Sequence, residues 1–313
     1  MEAIVYDYFG APRTLPTLIR WDFSHGFCSP CDSFEVSFLY EPSLLAPLKA
    51  AFRFRAVHEG KTVFYGVVDE FEANADAGGC VCALRGRGMQ ALLLDSQAES
   101  AEYYGADIAY ILSRHAAPLG LAEVDVGTLG GRRANLEVSS GESHWSVLSR
   151  FAEFCLGVTP RFTAEGRLLL DGERGGSSLT VTAATPVTAQ TLVQDRYGVI
   201  SEAIVKNRSL GTSLTVRNED FLAIGGKCVR VVNVPRRTGF DAMRHTGAYQ
   251  IAKSKRGLIR CRLTLPALFA AFPGDLAVLE STPLGVTGEY YVSASRCFAN
   301  ASSAGTVLDL RQA

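Results

Sequence analysis

Residues 64–95 read FYGVVDEFEANADAGGCVCALRGRGMQALLLD, and they decide how the rest of the chain is interpreted. Apolar and β-branched residues predict two strands joined by a turn at Asn74 to Gly79, and the apolar run after Gly88 predicts a helix. Between them, Gly86-Arg87-Gly88-Met89-Gln90-Ala91 matches the G-x-G-x-x-A spacing of dinucleotide-binding loops. The stretch is therefore either a cofactor loop or the corner at which a β-rich unit ends.

The flanking residues favour the corner. The strand before the glycines is predicted to pair in a hairpin, whereas a dinucleotide loop follows the first strand of a parallel sheet. Arg85 and Arg87 also replace the apolar residues expected there, and no second parallel strand follows the helix. Asp107 stands about 20 residues on, where a ribose-binding acid would be sought, but it is better explained as a helix N-cap. We therefore predict no cofactor.

Size and composition are typical of a folded globular protein. The chain has 313 residues, enough for two or three domains, with 47% hydrophobic and 20% charged residues. No apolar run approaches the length of a membrane span, and the start MEAIVYDYFGAP lacks the basic and apolar regions of a signal peptide. We expect neither membrane insertion nor Sec export.

Charge is unevenly distributed. Residues 1–170 hold 14 Lys and Arg against 21 Asp and Glu, whereas residues 171–313 hold 17 against 11. Between Arg230 and Arg262 there are nine basic residues and one acid, Asp241. This segment is interpreted as a solvated basic face, a subunit contact, or a surface that meets nucleic acid.

The eight cysteines include one combination that could bind zinc. Cys28-x-x-Cys31 and Cys80-x-Cys82 together offer four sulfur ligands, but zinc ribbons use Cys-x-x-Cys in both halves. Cys80 and Cys82 are also two residues apart in a predicted strand, where both would point to one face as small apolar residues. They are weak metal candidates.

The patterning predicts a mainly β protein with an α/β insertion. Residues 1–88 contain about six short antiparallel strands and are assigned to a first β-barrel domain. Residues 89–177 are assigned to the insertion, in which Asp107 and Ser143 begin helices and Gly157 ends one. Residues 178–313 are assigned to a second β-barrel domain. Its predicted strands are Leu179–Thr182, Val199–Lys206, Thr212–Val216, Cys228–Val234, Tyr249–Ala252, Leu258–Leu265, Leu276–Leu279, Tyr290–Ser295 and Thr306–Leu310.

Catalytic constellations are not evident in the sequence. The five histidines are scattered and form no metal-binding spacing. Asp69, Glu70 and Glu72 could suggest the paired carboxylates of a glycosidase, but a hairpin edge more often carries such residues as a solvated face. These observations favour a structural or binding protein over an enzyme.

Several segments resemble the baseplate hub proteins of contractile phage tails, the Mu-type hub or late control protein D-like family. The resemblance covers most of the chain in short motifs. They are Phe64–Glu70, Leu84–Gly88, Leu92–Asp95, Asp107–Ile108, Gly120–Leu121, Gly141–Leu148, Pro160–Phe162, Gly166, Pro273–Asp275 and Gly285–Val292.

The resemblance implies two tube-type β-barrels with an α/β insertion. It also implies a homotrimer whose six barrels form a ring between the sixfold tail tube protein and the threefold central spike protein, beside other baseplate proteins. The particle would be assembled in the host bacterial cytoplasm and the chain located in the virion tail baseplate. An acidic half and a basic half would suit head-to-tail contacts in such a ring.

The basic segment supplies the residues expected at subunit contacts or at a lumen through which DNA passes. They are Arg230, Arg236, Arg237, Arg244, Lys253, Lys255 and Arg256. A lumen dominated by acidic residues would contradict the second role. Charge reversal at Arg236, Arg237 and Arg256 without loss of the oligomer would contradict the first.

Two other hypotheses for the function stay open. One is a tail-associated peptidoglycan-cleaving enzyme, which would need a cleft with convergent carboxylates or a zinc site. The other is a carbohydrate-binding tail-tip protein, with Tyr103-Tyr104 or Tyr290-Tyr291 lining a groove. The sequence does not distinguish a phage from a bacteriocin or an injection system.

Overall fold

The chain folds mainly into strands, with a few short helices, in the computed structural model. This model describes residues 1–27, 31–121, 124–126, 132–170, 176–234, 238–256 and 258–312. The predicted fold class, mainly β with an α/β segment between two β-rich parts, is confirmed. Among the described residues, no helix has the length and apolarity needed to cross a membrane.

The first β-rich part packs around a cluster of phenylalanines. Its strands are β1 (Glu2–Asp7), β2 (Pro12–Thr14), β3 (Leu18–Gly26), β4 (Ser33–Leu39), β5 (Ala51–His58), β6 (Lys61–Asp76) and β7 (Gly79–Gly88), with a short helix α1 (Leu45–Lys49) after β4. Phe34, Val36 and Phe38 are buried and alternate with polar residues, as predicted. Side chains from β1 and β3 share one core although these strands lie five positions apart in the sheet, so the sheet curves around that core.

The middle part has its own apolar core. Its elements are α2 (Gln90–Asp95), β8 (Ala101–Asp107), α3 (Ile108–His115), β9 (Val124–Asp125), β10 (Arg133–Val138), α4 (His144–Phe151), a π-helical turn (Ala152–Leu156), β11 (Arg161–Phe162) and β12 (Leu168–Leu169). Asp107 accepts a hydrogen bond from Tyr110 N, which confirms the predicted N-cap. Ser143, at which a helix was predicted to start, accepts one from Ser146 N and caps α4. Strand β8 was not predicted.

The last part contains a β-rich core and a small α/β unit. Its elements are β13 (Ser178–Val181), β14 (Ala189–Gln194), β15 (Glu202–Asn207), β16 (Thr212–Arg217), α5 (Glu219–Ala223), β17 (Val229–Asn233), α6 (Phe240–Lys255), β18 (Ile259–Leu265), β19 (Leu276–Leu279), β20 (Gly288–Ala299) and β21 (Ala304–Gln312). Strands β16, β15 and β17 form a separate sheet in that order, and α6 packs on β15 and β16.

The predicted strand at Tyr249–Ala252 is wrong, because these residues lie inside helix α6. Tyr249 and Ile251 resemble the alternating residues of a strand. In the helix, however, Gly247 and Ile251 lie four residues apart and pack against the small sheet, near Val216 and Ala203. Gly247 permits this contact, since a Cβ there would lie 2.5 Å from Val216 Cγ2.

Strand β20 joins the two β-rich parts into one sheet. Its beginning pairs with β19, its second half pairs with β3, and β21 runs along its other side. The path of the 13-stranded sheet is β14-β18-β21-β20-β3-β4-β7-β6-β5-β1-β2, with β13 and β19 attached beside β20. The register shifts between Val292 and Ala294, and the buried Ser293 hydroxyl there donates to Asp309 O at 2.9 Å.

The glycine corner is structural in its geometry. Strand β7 pairs antiparallel with β4 and with β6, so it is not the first strand of a parallel unit. A Cβ on Gly86 would lie 2.0 Å from Val67 O, and one on Gly66 would lie 2.1 Å from Arg87 O. These glycines allow β6 and β7 to approach each other closely where the first β-rich part passes into α2.

Candidate functional site: the charged face of the continuous sheet

One face of the 13-stranded sheet carries arginines and carboxylates across most of its strands. We call it the charged face. The other side of the same strands faces the cores, as β18 illustrates with Cys261 and Leu263 buried and Arg260 and Arg262 exposed. The charged face comprises Arg260, Arg262, Asp309, Arg311, Arg296, Asp22, Arg20, Glu35, Arg85, Arg87, Asp69, Glu70 and Glu72.

Its first group of ion pairs lies on β18 and β21. The Arg262 guanidinium donates to both carboxylate oxygens of Asp309, at 2.6 and 3.1 Å. This bidentate contact and the Asp309 charge raise the pKa of Arg262. Arg260 donates to Asp195 at 3.2 Å. Each of these two arginines therefore has a carboxylate partner.

A second ion pair crosses the junction between the two β-rich parts. Arg296 on β20 donates through Nε to both oxygens of Asp22 on β3, at 3.0 and 2.9 Å, and its Nη2 contacts the same carboxylate. The bond to Asp22 raises the pKa of Arg296. Residues 274 positions apart in sequence are thereby paired on adjacent strands.

A third group is centred on the strand that enters the glycine corner. Arg85 donates to Glu70 at 3.0 Å and to Glu72 at 2.8 Å. Arg87 bridges Asp69, at 2.7 and 2.9 Å, and Asp95 on α2, at 2.9 and 2.7 Å. The bond to Arg87 lowers the pKa of Asp95. The carboxylates weighed as glycosidase candidates are thus bound to arginines.

Two neighbouring grooves run over this face. The larger, of about 730 Å³, lies over β14, β18, β21, β20 and the end of β3. The smaller, of about 500 Å³, lies over β3, β4, β7 and β6. Ser24 and Arg296 line both. The face therefore continues across the junction as one surface of mixed charge.

A buried pair under the larger groove fixes the connection between β3 and β4. His25 Nδ1 lies 3.3 Å from Asp32 Oδ2, and His25 Nε2 lies 3.1 Å from Val63 O. Gly26 N donates to the other Asp32 oxygen at 3.0 Å. Gly88 N donates to Asp32 O at 2.8 Å, which ties this connection to the glycine corner.

The structure does not bring the described zinc candidates together. Cys31 contacts Gly88 O at 3.6 Å, at one end of β7. Cys82 is buried in the first core six residues earlier in that strand, about 20 Å away at ~3.3 Å per residue. Cys80 is exposed, and Cys28 lies outside the described residues. Burial, with the nearby Asp32 charge, raises the pKa of Cys31 to about 12.

The described candidate contact residues of the basic segment lie on the small α/β unit, away from the charged face. Lys253 contacts Glu153 of the middle part at 2.5 Å, and Lys255 contacts Asp220 at 3.2 Å. Arg256 donates to Thr159 at 3.4 Å. Arg230 and Arg244 are exposed, whereas Arg236 and Arg237 lie outside the described residues. Some of the basic residues considered for contacts between subunits therefore form ion pairs with acids of their own chain.

Residue patterns reveal only part of the charged face. Arg260 and Arg262, and Asp309 and Arg311, alternate with buried apolar residues, so their common direction is readable from the sequence. The pairing of Arg296 with Asp22 is not, because it depends on which distant strands become neighbours. Of the tyrosines considered for a carbohydrate groove, Tyr104 is exposed but Tyr290 is buried.

No protein-family model matches the chain, and no curated protein does. Solved structures do resemble it. The tail protein from Neisseria meningitidis MC58 superposes with a TM-score of 0.79 at 16% identity, over 99% of this chain and 96% of that one. The 43 kDa tail protein of prophage MuSo2 from Shewanella oneidensis gives a TM-score of 0.77 at 16% identity, over 100% and 98%.

A protein of a secretion system also shares the architecture. The E. coli c3393 protein, described as a component of the type VI secretion system that resembles the T4 tail proteins gp27 and gp5, gives a TM-score of 0.60. Its identity is 11%, over 94% of this chain and 73% of that one. At such identities the likeness establishes the architecture alone. The chain has the fold of phage tail proteins.

Proposed function

We propose that this chain is a structural hub subunit of a phage tail baseplate or of a related contractile injection particle. Three copies form a ring that adapts the sixfold tail tube to the threefold central spike, in contact with other baseplate proteins. The fold shared with tail proteins supports the tail assignment. The observation that carries the ring is the pair of unlike open edges at the two ends of the main strand path, beside the short branch that ends at β13.

The first open edge is β14. It pairs with β18 on one side and is the last strand of the path among the described residues. Leu192 and Val193 are exposed although apolar, and Tyr197 just beyond the strand is 95% exposed. An exposed edge strand with apolar side chains is a template for pairing with another chain.

The second open edge is β2, at the opposite end of the path, where the described residues supply no further strand beside it. All three of its residues are exposed. The turn that precedes it carries Tyr8, which stacks on Phe52 with ring centroids 4.4 Å apart, and Phe9, which is 97% exposed. This edge also combines open backbone groups with apolar side chains.

Because the two edges differ, their pairing between copies is heterologous, and such an interface closes into a ring when the rotation between copies allows it. Three copies with two β-rich parts each would give six similar units around the axis. This supports the proposed match between a sixfold and a threefold neighbour. The division into domains 1–88, 89–177 and 178–313 belongs to the same proposal, and it is supported by a separate apolar core in each part.

Closure of the sheet would place the charged face on one side of the ring, and we propose that this side lines the lumen. Arg260 and Arg262 then take the lumen role for which other residues of the basic segment were considered. Their pairing with Asp195 and Asp309 leaves the wall nearly balanced in charge. DNA would pass with only weak contact.

The ring is tested by the mass of the protein in solution. The double substitution Leu192→Asp and Phe9→Asp puts a charge at both edges, so it should convert a trimer to a monomer in sedimentation equilibrium. Leu210→Asp, at another exposed leucine outside both edges, is the matched control and should stay trimeric. A wild-type protein that remains monomeric at the highest soluble concentration, or a trimer unaffected by the double substitution, would contradict the proposal.

A further inference from the structure

The small sheet β16-β15-β17 has an open edge of its own, and the proposed ring does not use it. Strand β17 pairs with β15 and has no other strand neighbour among the described residues. Strand β16 is the other edge of this sheet, and helix α6 packs on β15 and β16, so β17 is the edge that lies farther from the helix.

The register shows which backbone groups are free. Glu202 N donates to Cys228 O at 3.2 Å, and Val234 N donates to Lys206 O at 3.0 Å. In a parallel ladder of this register, the N–H and C=O of Arg230 and Val232 point to β15. Those of Val229, Val231 and Asn233 therefore point to the open edge, where they present the bonding pattern of a strand.

Apolar side chains flank these free groups. Val229 and Val231 are 58% and 52% exposed. In the parallel register Ile204 lies beside Val231 on the same face, opposite to α6, and it is partly exposed. An added strand would thus gain backbone hydrogen bonds from the edge and apolar contact from this face, which is the mode of β-strand addition.

The charge around the edge indicates the chemistry of the added strand. Lys206, Lys227 and Arg230 are exposed and form no ion pair with the described residues. The acids nearest in sequence are largely engaged, since Glu202 contacts Arg217 at 3.1 Å and Asp220 contacts Lys255 at 3.2 Å, which leaves Glu219. The free charge at this edge is therefore mainly basic.

We propose that β17 is a docking edge for an extended acidic segment of another protein, which joins the sheet as a fourth strand. Its apolar residues cover Val229 and Val231, and its alternating carboxylates lie on the opposite face, where they meet Arg230. Lys206 and Lys227 add to the positive potential around the edge, which also favours an acidic segment. The alternation of apolar and acidic residues in the partner follows from the period of two in a strand.

The test uses the full chain with two labelled peptides, one alternating valine and glutamate and the other alternating valine and lysine. At low ionic strength, fluorescence anisotropy should give a Kd at least about tenfold lower for the glutamate peptide. In hydrogen exchange, that peptide should protect the amides of Val229, Val231 and Asn233. Equal affinities, no binding of the glutamate peptide, or no protection of these amides would overturn the proposal.

Val231→Pro gives a direct control on the backbone. It removes an N–H that points to the open edge and keeps those that bond β15, so the sheet should fold. The variant should bind the glutamate peptide about tenfold more weakly than the wild type does. A folded Val231→Pro variant with unchanged affinity would contradict the edge. A change in its oligomeric mass without peptide would assign the edge to a second copy and so also overturn the proposal.

Discussion

Gly88, in the segment 64–95, lies so close to its neighbours that no side chain fits there. A Cβ at this position would lie 2.5 Å from Gln90 Oε1 and 2.9 Å from Asp32 Cβ. Asp32 cannot easily move, because its backbone and its carboxylate hold the connection between β3 and β4. The glycine spacing that resembles a cofactor loop thus follows from close packing.

Gly88→Val should therefore destabilise the fold. Overpacking of this kind lowers the free energy of unfolding by about 1–3 kcal/mol, measured by denaturant titration. Gly78→Ala is the control, since its Cβ would contact only the end of the Asp76 side chain at 3.2 Å. Wild-type stability of Gly88→Val, or detectable NAD binding by the intact chain, would count against a structural corner.

Residue-scale predictions succeed where the signal is local. The cap at Asp107 and the helix start at Ser143 are predictable because both depend on neighbours in sequence. The partner of Asp22 could not be identified, because Arg296 reaches it only through the pairing of β3 with β20. Long-range ion pairs of this kind leave no pattern in a single sequence.

The N-cap Asp107 should contribute to the stability of helix α3. Asp107→Ala removes the acceptor of the Tyr110 amide, so the free energy of unfolding should fall by about 1 kcal/mol. Asp107→Asn keeps an acceptor oxygen and should lose much less. Equal losses in the two variants, followed by thermal unfolding, would show that the cap is not the cause.

Helices α3 and α4 also meet through a pair of histidines. His115 Nδ1 lies 2.8 Å from His144 Nδ1, and His115 Nε2 lies 3.0 Å from the Tyr103 hydroxyl. Burial, helped by the nearby His144, lowers the pKa of His115 to about 4. Burial also lowers the pKa of His144. Both rings are therefore neutral in the folded state at neutral pH.

This pair should make stability depend on pH. Below a pH of about 6.5, His115 takes up a proton in the unfolded chain but not yet in the folded one, so stability falls as the pH decreases to about 4. The loss amounts to roughly 3 kcal/mol for a shift of this size. His115→Gln should show a flatter dependence over this range, and His245→Gln, at an exposed histidine, should keep it. An unchanged slope in His115→Gln would refute this origin.

Neither helix α6 nor strand β14 was predicted, and the reason differs between the two. In α6 the aromatic and β-branched residues around Tyr249 suggested a strand, whereas burial at four-residue spacing decided the helix. Strand β14 has only one fully apolar pair, Leu192 and Val193, and most of its residues are exposed. An edge strand that depends on a single neighbour, here β18, has too little buried pattern to be recognised.

At the scale of the whole molecule, the arginine–carboxylate pairs decide how the charged face treats nucleic acid. Each paired guanidinium is neutralised locally, so the wild type should bind DNA weakly. Asp309→Asn together with Asp22→Asn frees Arg262 and Arg296, so affinity should rise and the dependence on salt should steepen by about one unit per freed charge. Asp220→Asn, away from this face, is the control. Unchanged DNA binding in the double variant would argue against a lumen-facing role.

The two β-rich parts were predicted from repeated strand patterns, but their fusion into one sheet was not. The sequence of β20 predicts only one more strand of the second part. In the structure this strand also pairs with β3. Which strands become neighbours is decided by tertiary packing, which the period of two in each strand does not encode. The open edges that carry the proposed ring are a consequence of this connection.

The arrangement of strands between copies shows whether β14 and β2 close the ring. A cryo-EM reconstruction of the assembled protein should contain three copies, with β14 of each one hydrogen-bonded to β2 of the next and the charged face lining the central opening. A closed assembly in which these two edges remain solvent-exposed, or in which the charged face points outward, would rule out the proposed ring.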